Sequence, residues 1–121
     1  MNRNEFRAFF GTRGPVVLPV IHVLETGRTL ANIDVLTEVG APGCFLINHD
    51  FGVDEFLPIV REVRAARPDI WMGLNFLAVT GLHAFPRLAA LEREGYRVDA
   101  YWADDARIDE RSEAQPEAAA I

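Results

Sequence analysis

The sequence predicts an α/β protein built from parallel βα repeats, and three observations carry that reading. Four short apolar runs, rich in Val, Ile, Phe and Trp, recur along the chain: VVLPVIH (16–22), CFLINHD (44–50), IWMGLN (70–75) and VDAYWADD (98–105). Runs of this length and composition read as buried strands. The stretches between them are long enough for the helical crossovers that parallel neighbours require. Each run also ends in polar, chemically capable residues, so strands that all point one way would collect those residues along a single edge of the sheet. In α/β proteins that carboxyl edge is where ligands bind and chemistry happens.

The elements follow in order. Residues 1–14 form an amphipathic lead-in in which Phe6, Phe9 and Phe10 can share one helical face, with Gly11 and Gly14 as the stop. The first strand is expected over 16–23. Between Thr26 and Gly40, Leu30, Ile33, Leu36 and Val39 recur every three positions, with Ala31 and Val35 widening the stripe. That spacing marks the inner face of a helix, and Gly40 suits the residue just past its end. The second strand covers 43–48, after Pro42.

A second crossover helix is expected over 53–66, with Phe56, Leu57, Val60 and Val63 inward. Asp54 and Glu55 lie in its first turn and Arg61, Arg64 and Arg67 late, as the helix dipole favours. Pro68 closes it. The third strand is placed at 70–77. A helix over 82–94 follows, with Phe85, Leu88, Ala89 and Leu91 apolar and Gly95 as the stop. The fourth strand is placed at 97–103. The tail IDERSEAQPEAAAI reads as a loop and then the first turns of a helix, with Pro116 at an acceptable first position.

Composition bounds the function. At 121 residues the chain holds one domain, with half its residues apolar and a quarter charged, as in ordinary globular proteins. The net charge of −6 argues against nucleic acid as a partner, because neutralising phosphates needs a basic surface. All 12 basic residues are arginine, which rules out a Schiff-base lysine and a P-loop within the chain. The single cysteine, Cys44, sits inside an apolar run and reads as a small core residue. With no intrachain disulfide, no apolar stretch near the ~18–20 residues of a membrane span, and no signal-type apolar region in MNRNEFRAFFGTRG, a cytoplasmic protein is expected. There is no Ser–His–Asp order, GxSxG, HExxH, CxxC or GxGxxG.

One βα unit recurs every ~25–28 residues without a domain break, which fits two architectures: an open doubly wound sheet, or a (β/α)8 barrel cut near its middle. The cut barrel is the favoured expectation, because the chain stops as its fourth crossover helix begins.

The segments PVIHVL (19–24), a helix ending in Gly40-Ala41, GCFLINHDF (43–51) and GLNFL (73–77) together resemble the BtpA/SgcQ family, a ribulose-phosphate-binding type of TIM barrel. The likeness runs from about residue 15 onward and corresponds to the first half of such a barrel. ETGRT at 25–29, AVTG at 78–81 and the acidic YWADDARIDE depart from the family's pattern. The resemblance implies a barrel that handles a small, phosphorylated metabolite, or a non-enzymatic assembly and biogenesis factor of the BtpA type. An inactive fragment is the third alternative.

The candidate site residues follow from position and chemistry. His22 and Asp50 are general acid–base candidates, set against a backbone-bonded histidine and an Asx turn as plainer roles. Asn48, His49 and Asn75 are substrate-binding candidates. In an extended strand Asn48 and His49 face opposite ways, and Asn48 is expected to point into the centre with His49 on the rim. An amide such as Asn75 inside an apolar strand must find partners, from a ligand or from a neighbouring strand end. Asp104 and Asp105 could hold a divalent cation such as Mg²⁺, or belong to a solvated loop. His83 reads as a helix-surface residue, and Trp71 and Trp102 as packing. The implied partners are a small-molecule ligand and either a second copy of the chain or a missing carboxyl-terminal half. Nucleic acid and a membrane span are excluded.

Overall fold

A computed structural model describes residues 2–120. The elements run α1 (Arg3–Phe9), β1 (Val20–Val23), α2 (Thr26–Glu38), β2 (Gly43–Asn48), α3 (Val53–Ala66), β3 (Trp71–Asn75), α4 (Gly81–Arg93), β4 (Ala100–Tyr101) and α5 (Pro116–Ala119). The four strands form one sheet in the order β1-β2-β3-β4, and every neighbouring pair is parallel. The protein is thus of the α/β class.

Three strands are shorter than expected: β1, β4 and β3, which ends at Asn75 and not at 77. Pro15 and Pro19 carry no backbone N–H, so the run before Val20 cannot ladder as a strand should. Only the Pro19 carbonyl joins in, accepting from Phe45 N at 2.8 Å. At the other edge the ladder continues past β4 as single bonds, from Asp99 N to Met72 O and from Trp102 N to Leu74 O. The helices end as their glycines require: Gly40 and Gly95 take φ of 80° and 89°.

Alternation along the strands divides the sheet into two unlike faces. Ile21, Val23, Cys44, Leu46, Met72 and Leu74 pack in one core with Ile33 of α2, Phe56, Val60 and Val63 of α3, and Ala84 and Leu91 of α4. Polar contacts between helices show that all three lie on this face, in chain order. Asp34 of α2 receives Arg67 from the end of α3 at 2.7 and 2.8 Å, while Arg61 of α3 reaches Glu94 at 2.8 Å and Arg87 of α4 pairs with Asp54. Those pairs are exposed and fix order more than they add stability.

The opposite face carries Val20, Phe45, Gly73 and Ala100 in one row of the register, and His22, Ile47 and Asn75 in the next. Its cover is aromatic and sparse. Phe45 meets Trp71 and Trp102 edge-on at 5.3 and 6.1 Å, and Phe10, just after α1, meets Trp71 at 5.6 Å. A side chain at Gly73 would run into the Phe45 ring, so the bare glycine is what lets that ring lie across the sheet.

At the amino end of the strands lies a buried polar knot. Arg64, 4% exposed, donates to the carbonyls of Arg97 (2.8 Å), Pro68 (2.9 Å) and Ile70 (2.7 Å) and to Asp99 Oδ2 (3.0 Å). Asp99 Oδ2 also accepts from Met72 N at 2.9 Å, and Arg97 closes on Oδ1 at 2.9 Å. One guanidinium thereby ties α3, the chain leading into β3 and the chain leading into β4.

Cys44 is fully buried, and burial pushes its thiol from the ordinary 9.0 up to about 11, with Arg64 pulling weakly the other way. The folded state then holds the proton that the unfolded chain releases. Stability from this group is complete below pH 9 and is expected to fall by about 2–3 kcal/mol as the pH rises to 11. Burial raises the Tyr101 phenol as well, which acts with the same sign. Urea midpoints between pH 8 and 11 check this: Cys44→Ala should flatten the decline, and an identical slope in that variant would remove the thiol as its source.

Candidate active site at the carboxyl edge

The strand ends place polar groups on the open face and between the loops that follow. His22 ends one row of that face, and its Nε2 lies 3.0 Å from Asp50 Oδ2 in the loop after β2. The His49 ring sits beside it, centroid to centroid 4.6 Å. Both members of the His22–Asp50 pair remain open to solvent, with side chains 44% and 58% exposed. A neutral imidazole that donates its Nε2 proton to the carboxylate leaves Nδ1 as an acceptor on the other side. Such a pair can take a proton from a bound molecule and return it, which is general acid–base chemistry.

Asn48 and His49 are placed opposite to the sequence expectation. Asn48 pairs in register with Val23, whose side chain is wholly buried in the helix-facing core, so Asn48 points to that side and His49 to the open face. Asn48, 4% exposed, uses its whole carboxamide on backbone: Nδ2 donates to the Phe51 carbonyl at 2.7 Å and Oδ1 accepts from Leu77 N at 3.1 Å. Cys44, Leu46 and Asn48 share one phase along the strand. In a strand buried on both faces that phase cannot be read from hydrophobicity, because Phe45 and Ile47 are equally apolar.

Asn75 lies in the same register row as His22, two strand spacings or about 10 Å away. It is fully buried, and its Nδ2 donates to the Trp102 carbonyl and to Asp104 Oδ1, both at 3.0 Å. Its Oδ1 has no partner among the described residues. With two acceptors on the nitrogen, the amide orientation is fixed, and its evident work is to hold the chain beyond β4 against β3.

The acidic pair separates. Asp104 turns to Asn75, whereas Asp105 accepts from Arg107 N at 2.7 Å and faces its guanidinium at 3.4 Å. Among the described residues no three His, Cys, Asp or Glu side chains gather as a metal ion would need. Each of the two carboxylates, offered either to a divalent cation or to a solvated loop, is drawn to a different neighbour. His83 is exposed on α4.

Two contributors escaped the sequence reading. Arg28 of α2 lines a shallow cleft with His22, Val20 and Leu24 along the unpaired edge of β1. Ala78, in the loop after β3, lines a second cleft with His49 and Asp50 and holds a left-handed φ of 60°. A non-glycine residue in that region is strained and depends on its surroundings to stay there. Among the described residues no helix is long and apolar enough to cross a membrane. Comparison with family models, with curated proteins and with solved structures finds no match to this chain.

Proposed function

We propose that the chain forms the first four βα units of a (β/α)8 barrel, and that its carboxyl edge binds a small polar metabolite as an enzyme or enzyme-derived domain. The observation that carries this reading is the meeting of His22 and Asp50, supplied by the ends of two adjacent parallel strands. A sheet that runs in chain order without a switch point, with its crossover helices on one face, is what a barrel segment has and a doubly wound sheet lacks. His22 and Asp50 would exchange a proton with the ligand, and His49 and Arg28 would contact its polar groups. The resemblance to the BtpA/SgcQ family adds the phosphorylated class of ligand, and Arg28 suits an anionic group.

The test uses the intact protein with inorganic phosphate and ribose 5-phosphate as probes. Saturable shifts of the His22 and His49 imidazole resonances are expected in two-dimensional NMR, and Arg28→Ala should weaken them several-fold. If neither probe at millimolar concentration moves either ring, the ligand site at this edge is lost.

A second reading, a non-enzymatic assembly factor that works through an outer helix face, has its own observation. Val35 of α2 and Val39, just past its end, are 57% and 75% exposed, and Leu82 and Phe85 of α4 are also open. On that reading His22→Ala leaves function intact, while Val35→Glu abolishes association.

A further inference from the structure

We infer that Asn48 is a positioning residue: it clasps the loop after β2 to the loop after β3 and thereby holds Asp50 against His22. The inference rests on the proposed site at this edge and assigns Asn48 no contact with ligand. The His22–Asp50 pair stands in solvent, and an exposed side-chain contact of this kind is too weak to order the loop that carries it. The geometry must come from something buried. Asn48 is the last residue of β2 and is almost fully enclosed, and His49 and Asp50 lie between it and Phe51, the residue its Nδ2 grips.

Its Oδ1 fixes the other wall of the same cleft. By accepting from Leu77 N it anchors the residue next to Ala78, whose left-handed backbone needs holding. One carboxamide thus sets the positions of Asp50 and of the 77–79 segment together. Donor and acceptor are both required, so a residue with only one of them does half the work.

The test is NMR on the full chain, reading the imidazole ¹⁵N shifts of His22, with Asp50→Asn as the reference for a lost carboxylate. Asn48→Ala is expected to move the His22 shifts to the Asp50→Asn values and to weaken the NOE between the His22 and His49 rings, with the fold retained. Asn48→Asp, which keeps an acceptor for Leu77 N but loses the donor to Phe51, should do the same and decides the question if the alanine variant does not fold. Asn48→Gln should not restore the wild-type shifts, because the longer side chain misplaces both groups. Wild-type His22 shifts in Asn48→Ala and Asn48→Asp, beside a clear change in Asp50→Asn, would overturn the inference and leave the site reading standing. Unchanged His22 shifts in Asp50→Asn itself would remove the His22–Asp50 contact, and with it both.

Discussion

Replacing Arg64 with alanine is expected to lower the stability of the fold by about 3–5 kcal/mol, the cost of breaking a buried ion pair from one side. Two groups of partners lose at once. The carbonyls of Arg97, Pro68 and Ile70 would be left without the donor that now satisfies them, and Asp99 would lose its best-buried counter-charge. Arg97 and Met72 N would still hold the Asp99 carboxylate, which keeps the loss from being larger. Burial pushes the Arg64 pKa below its ordinary value and the nearby Asp99 pushes it back up, as expected for a charge that pairing makes tolerable in the interior. Urea unfolding at pH 7 measures the effect. Arg64→Met should recover only the packing of the stem, so it should fall between the alanine variant and the wild type. A loss below about 1 kcal/mol in Arg64→Ala would show that the knot is peripheral to the fold, at the level of an exposed pair.

That knot also shows where sequence reasoning stops. Arg64 was legible as a late-helix cation suited to the dipole, and nothing in a periodic pattern distinguishes it from Arg61 or Arg67, which reach outward to Glu94 and Asp34. Its burial depends on carbonyls brought together from three separate elements. The strands and helices themselves were legible because the apolar spacing and the glycine stops are local. α3 and β2 lie where the pattern puts them, and α2 and α4 end within a residue or two of it. Pro58 and Pro86 sit inside α3 and α4, tolerated although each gives up a backbone bond, so the apolar stripe outweighs a local breaker. At the site, the positions of His22 and Asp50 were legible from strand ends alone. Which way Asn48 and His49 face was not, because a strand packed on both sides hides its own phase. The divergence of Asp104 from Asp105 was also hidden, since it depends on Asn75 and Arg107, neither of which is adjacent in sequence to the pair.

Purified at micromolar concentration, the chain is expected to sediment as a dimer or larger assembly. Parallel sheets occur almost only with both faces covered, and here the helices cover one. The other exposes Val20 (49%) and Trp102 (44%) beside the half-buried Phe45 and Trp71. β1 is an edge strand whose residues alternate between exposed and buried, with Pro19 before it as its main guard against pairing. Val35 of α2, exposed and lining one cleft with Val20, extends the same apolar margin. A second copy supplies what this margin lacks, because its own sheet has the same open face and unpaired edges. Charges placed on the margin should therefore separate the copies without touching the core: Val20→Lys combined with Val35→Glu is expected to shift sedimentation to the monomer while the unfolding transition stays cooperative. A wild-type monomer at micromolar concentration, unfolding in one sharp step, would mean that the aromatic cover from Phe10, Phe45, Trp71 and Trp102 is enough to close this face, and would favour a self-sufficient open sheet over half of a barrel.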